Sequence, residues 1–119
     1  MTHGQALCTL AFRMQLFPGQ AEEYHRRHAA IWPELKTALL DAGIVEYRIF
    51  HDDKDDALFA VLYCRQPDRL ADLPSLPVMQ QWWAYMADIM VTQPDLSPVQ
   101  VGLRSMFVLS TGEGLPCAS

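Results

Sequence analysis

Apolar and polar positions alternate over residues 6–17, with Cys8, Leu10, Phe12, Met14 and Leu16 on one side and Thr9, Ala11, Arg13 and Gln15 on the other. A period of two is the signature of a strand with one covered face. Pro18-Gly19 interrupts it, and residues 20–28 read as a short helix, stopped where Pro33 restricts the chain before it. Residues 32–42 predict a second helix: Pro33 suits its first turn, Ile31, Leu35 and Leu39 recur every four positions, and Gly43 ends it. Two strand-like runs, 44–51 and 57–65, flank the acidic turn Asp52-Asp53-Lys54-Asp55-Asp56 and predict a hairpin. A connector over 67–77, with three prolines, leads to a third helix over 78–91. There the stripe Met79, Trp83, Met86, Met90 assigns Trp83 to the core and turns Trp82 about 100° away. After a loop over 92–98, Val99, Val101, Leu103, Phe107 and Leu109 alternate through a last strand.

This order of strand, helices, strand, strand, helix, strand predicts an α+β, ferredoxin-like fold of the split βαβ type, with one antiparallel sheet and its helices on one face. A single domain over 1–110 and a flexible tail over 111–119 follow. The strands are apolar in both phases, Leu58 and Leu62 against Phe59 and Val61, or Met106 and Val108 against Phe107 and Leu109. A bare apolar sheet face calls for a partner, and a twofold homodimer would cover it by burying roughly 800 Å² per copy.

Composition narrows the function. With 119 residues, 50% of them hydrophobic, the chain closes one core. A net charge of −5 and no basic patch beyond Arg26-Arg27 argue against nucleic-acid or membrane-surface binding. Cys8, Cys64 and Cys117 are odd in number and lack metal-ligand spacing, which fits reduced thiols in a cytoplasm. Neither a signal peptide nor a run able to span a bilayer is evident. The acidic turn fails the calcium-loop pattern, because counting from Asp52 puts Ala57 and Tyr63 where glycine and glutamate are needed.

Tyr24 and His28 stand four apart and share one helix face. Imidazole donates and accepts protons near neutral pH, the requirement for opening and reclosing a sugar hemiacetal without metal or organic cofactor. Tyr24, Tyr47, Trp82, Trp83 and Tyr85 offer rings for C–H faces and polar edges for hydroxyls. Each has a plainer reading: His28 as a helix-end cap, Tyr47 as a strand tyrosine sharing a face with Val45 and Ile49, the indoles as core, Arg26 and Arg27 as surface pairs. His25 lies three residues before His28, but further zinc ligands are lacking.

The motifs Glu23-Tyr24-x-Arg26-Arg27-His28-x-x-Ile31-Trp32-Pro33-Glu34-Leu35, Trp82-Trp83-x-Tyr85-Met86 and Pro94-Asp95-x-Ser97-Pro98 resemble the L-rhamnose mutarotase family over residues 8–110. The resemblance implies a dimeric ferredoxin-like, cofactor-independent isomerase that interconverts α and β pyranose anomers of L-rhamnose. It further implies His28 as proton donor and Tyr24, Tyr47, Trp82 and Trp83 as sugar-binding residues, with no metal. Departures at His25 and over 66–80 bear on sugar identity rather than reaction type. A mutarotase for another 6-deoxyhexose such as L-fucose, a cofactor-free monooxygenase or a small-ligand binding module of the same fold are the alternatives.

Overall fold

A computed structural model describes residues 7–65 and 67–111. Strand β1 (Cys8–Gln15) is followed by helices α1 (Ala21–Ala29) and α2 (Pro33–Asp41), then by the hairpin β2 (Ile44–Asp52) and β3 (Ala57–Cys64). A short helix α3 (Pro67–Leu70) and a 3-10 turn (Leu73–Ser75) lead into α4 (Pro77–Met86), and β4 (Val101–Gly102) closes the sheet. The strand order β2-β3-β1-β4, antiparallel throughout, is the split βαβ arrangement of a ferredoxin-like fold.

Local chemistry explains the punctuation. Gly19 and Gly43 take φ of 80° and 97°, values at which a side chain would be strained, so each ends one element and redirects the chain. Proline at the start of both α2 and α4 costs no hydrogen bond, since first-turn amides have no partner in the helix. In the hairpin turn, Asp52 accepts the Lys54 amide and Asp55 the Ala57 amide, so those carboxylates serve the turn itself.

In register, Phe12 lies opposite Ala60, Met14 opposite Leu58, Tyr47 opposite Leu62 and Ile49 opposite Ala60, which gives one sheet face its apolar surface. Met14, Leu16, Leu58 and Ala60 from that face pack with Tyr24, Leu35, Met79, Trp82 and Met86 from the helices as the core. Phe59, Val61 and Tyr63 on the other face stay half-buried, and Phe50, opposite Phe59, is 52% exposed. No helix among the described residues is long and apolar enough to cross a membrane.

Three expectations need correction. The third helix stops at Met86 instead of reaching 91, because the end of β1 captures the chain beyond it: the Phe17 amide bonds Ile89 O at 3.0 Å and the Val91 amide bonds Gln15 O at 2.9 Å. The last strand, expected over 99–109, shortens to Val101–Gly102, because β1 supplies ladder partners only at Phe12 and Arg13, with one further bond from the Leu103 amide to Ala11 O. Residues 104–109 run on outside the sheet, and Phe107 and Leu109 are 78% and 86% exposed. Val45, expected on the face of Tyr47, is the extra residue of a bulge between Ile44 and Glu46 and lies 40% exposed. Residue 6 of the first strand and residues 112–119 of the expected tail lie outside the described residues.

Leu96 carries a strained backbone, with φ of 72° in the loop before β4. The turn holds it there through Leu96 N to Gln93 O at 2.8 Å and Gln93 N to Ser97 O at 2.7 Å, while Asp95 Oδ1 accepts the Ser97 amide at 3.0 Å. A left-handed non-glycine residue costs roughly 1–2 kcal/mol, and asparagine tolerates the region better than leucine. Leu96→Asn is therefore expected to raise unfolding stability by about 0.5–1 kcal/mol in a urea titration. A decrease would mean that the leucine side chain contributes more through packing than its backbone loses.

Candidate active site

Between the helix-facing side of the sheet and the helices lies a cavity of about 400 Å³, a size typical of small-molecule sites. Its floor comes from Phe12, Tyr47, Ile49 and Leu62 of the sheet, its walls from Tyr24 and His28 of α1, Ile31, and Trp82 and Trp83 of α4. Leu70, Leu73 and Pro74 of the connector and Leu96, Pro98 and Gln100 of the last loop also line it. A second cavity of about 300 Å³ shares Tyr24, His28, Tyr47 and Ile49, so these side chains border both spaces.

Helix spacing brings Tyr24 and His28 together: their rings stack with centroids 4.2 Å apart. His28 Nδ1 lies 3.1 Å from the Tyr24 carbonyl oxygen. A carbonyl only accepts, so in the neutral ring that contact puts the proton on Nδ1 and leaves Nε2 as the basic nitrogen. Burial pushes the His28 pKa below the ordinary 6.5, the Tyr24 carbonyl pulls the other way, and nearby His25 adds to the depression. At neutral pH the imidazole is thus uncharged.

Trp82 meets the edge of His28 at 5.3 Å and of Trp32 at 5.0 Å, nearly perpendicular to both. Contrary to the stripe expected from sequence, Trp82 is the more buried indole, 5% exposed, and Trp83 only flanks the core. The apolar face of α4 runs Met79, Trp82, Met86. Both indoles line the cavity all the same.

Tyr47 is 38% exposed as a residue, but its hydroxyl is desolvated, and its pKa is pushed up to about 12. Burial raises the Tyr24 phenol further, and the Tyr47 hydroxyl adds to the effect. Both phenols remain protonated at neutral pH and serve as neutral hydrogen-bonding groups. The structure therefore gathers all five candidates, Tyr24, His28, Tyr47, Trp82 and Trp83, around one space.

Two contributors escaped the sequence reading as site residues. Trp32 supports Trp82 and lies 5.5 Å from Tyr85, and its position inside the first motif was the only available signal. Gln100 is among the residues that line the cavity, and no local periodicity marks it. Tyr85 is 39% exposed and packs against Trp82 at 5.6 Å without lining either cavity. Among the described residues no group of three or more His, Cys, Asp or Glu side chains is placed to hold a metal ion.

A ferredoxin-like domain with an imidazole, phenols and indoles around one cavity has the build of a protein that binds a small molecule. The sequence profile of L-rhamnose mutarotase matches residues 9–109. An L-rhamnose mutarotase of Sinorhizobium fredii is 58% identical over 100 residues, covering 84% of this chain and 96% of that protein. One from Rhizobium meliloti is 54% identical over 99 residues, covering 83% and 95%. The crystal structure of an L-rhamnose mutarotase from Formosa agariphila superposes with a TM-score of 0.81 at 41% identity, covering 87% of this chain and 99% of that one. The chain belongs to the L-rhamnose mutarotase family and is an isomerase acting on carbohydrates.

Proposed function

We propose that this protein interconverts the α and β pyranose anomers of L-rhamnose, with His28 as the acid–base group. The observation that carries the reading is the His28 ring, its Nδ1 committed to the Tyr24 carbonyl and its Nε2 left to act as a base in a cavity walled by Trp82 and Trp83. Nε2 takes the proton of the anomeric hydroxyl, the bond from C1 to the ring oxygen breaks, and the imidazolium so formed passes that proton to the ring oxygen, giving the open aldehyde and the neutral ring again. Rotation about C1–C2 and reclosure on the other carbonyl face run the same transfer in reverse and give the opposite anomer. Tyr24 and Tyr47, protonated, hold sugar hydroxyls, and the indoles pack on C–H and methyl faces. Ring opening requires only a proton acceptor and a donor, so the mechanism uses no cofactor.

Saturation-transfer NMR on equilibrated L-rhamnose, L-fucose and D-glucose tests the reading. Catalysed exchange is expected for L-rhamnose above the other two. Faster exchange of L-fucose would reassign the sugar, and no acceleration for any of them would end the mutarotase assignment.

The working unit in this reading is a homodimer. Phe50, Phe59, Val61 and Tyr63 lie on the helix-free sheet face, and the segment from Met106 to Leu109, beyond the ladder, is apolar and exposed. A second copy that paired with this segment and covered that face would remove both exposures. Light scattering is expected to give twice the chain mass, and Phe107→Asp should shift the population toward monomer. A wild-type monomer at micromolar concentration would refute the dimer.

A further inference from the structure

Arg27 precedes the catalytic histidine candidate, yet the proposed mechanism gives it no task. Its side chain is only 10% exposed. Nε donates to Glu23 at 2.7 Å within α1. Nη1 donates to Asp88 Oδ1 at 2.8 Å and to the Tyr85 carbonyl at 2.8 Å, and Nη2 donates to Asp88 Oδ2 at 3.3 Å. The guanidinium carbon also stands 4.6 Å from the centre of the Tyr85 ring. One planar group thus bonds its own helix, the end of α4 and the residue just beyond it.

We propose that Arg27 is a positioning residue for His28, tying the last turn of α1 to the end of α4 and so holding the imidazole against Trp82. The inference rests on the mutarotase reading for its catalytic consequence, but its geometric content stands apart from it. Helix α1 has nine residues and no side-chain N-cap bond, and a helix this short owes its place to tertiary contacts. The hydrogen bond of the His28 ring is local, to the Tyr24 carbonyl one turn earlier. Across the helices its ring meets Trp82, and Trp82 in turn leans on Tyr85, the residue whose carbonyl and ring Arg27 engages.

Charge supports the tie: Glu23, between Arg26 and Arg27, is held down to about 2, and the Arg27 guanidinium lowers Asp88 as well. Arg26 forms its closest bonds with Glu23 on its own helix and is 65% exposed. Lysine at position 27 would keep the charge but lose the fork that reaches Asp88 through two nitrogens while also reaching Glu23 and the carbonyl.

The test compares Arg27→Lys and Arg27→Met with Ala42→Gly, a control for lost stability at a buried position away from the cavity. Displacing a reacting group by about 1 Å can cost 10²-fold in rate, so both Arg27 variants are expected to lose roughly 10- to 100-fold in kcat with KM nearly unchanged. In NMR the contact between His28 and Trp82 ring protons should weaken, and the His28 titration should move up toward 6.5 as its burial relaxes. Arg27→Lys keeps the test open should Arg27→Met fail to fold. An intact ring contact and titration, with losses no larger than those of Ala42→Gly, would overturn the proposal, as would a rise in KM alone. If the wild-type enzyme exchanges no sugar, the ring contact and titration still decide whether Arg27 positions His28.

Discussion

His28→Ala is expected to slow catalysed anomer exchange by about 10²- to 10⁴-fold, the usual contribution of a positioned acid–base group, while the protein stays folded. The variant removes the basic Nε2 from the cavity, and among the described residues no other imidazole lines the larger one. The fold should tolerate the change because the hydrogen bond of the His28 ring runs to Tyr24 O on its own helix. Alanine also favours a helix more than histidine does. The pH profile of the wild-type enzyme provides a second reading. In the proposed mechanism neutral His28 is the base, and burial lowers its pKa, so the acid limb of kcat should lie below pH 6.5, the ordinary histidine value. That limb should disappear in the variant. Exchange that persists at the wild-type rate in His28→Ala would transfer the proton chemistry to another group.

Trp82→Ala should do the largest damage to the fold and remove the cavity wall at the same time. Trp82 is 5% exposed and touches His28, Trp32 and Tyr85. Deleting so large a buried ring costs about 3–5 kcal/mol, a substantial share of the 5–15 kcal/mol that holds a domain of this size together. The same deletion frees the His28 ring from its perpendicular neighbour, so residual folded protein should bind sugar poorly and exchange it slowly. Trp83→Ala separates the two effects: its indole lines the cavity but only flanks the core, so sugar affinity should fall with a smaller loss of stability. Urea titrations of both variants beside sugar binding would decide the matter. A Trp82→Ala midpoint within about 1 kcal/mol of wild type would show that the core relaxes around the missing ring.

Much of this arrangement was legible along the chain. The alternation in β1, the four-residue spacing of Tyr24 and His28, the punctuation by Pro18-Gly19 and Gly43, and the hairpin around the acidic turn all depend on near neighbours. The resemblance to the mutarotase family then joined His28 to Tyr47 and to the Trp82-Trp83 pair, which spacing alone does not do. The failures lay where distant strands intervene. Helical periodicity continued through Met90, but that residue bridges Leu16 outside the helix. Alternation continued through Leu109, but the β1 edge pairs only as far as the start of that run.

From the residue order alone came the antiparallel α+β plan, one core and the shared face of Tyr24 and His28, because backbone periodicity and proline and glycine stereochemistry act over a few residues. Only the tertiary structure decided which indole is buried, where α4 ends, how the bulge at Val45 turns that side chain away from Tyr47, and how Arg27 crosses to Asp88. Those outcomes turn on which sheet edge or cavity wall arrives opposite a residue, and packing between elements far apart in the chain sets that.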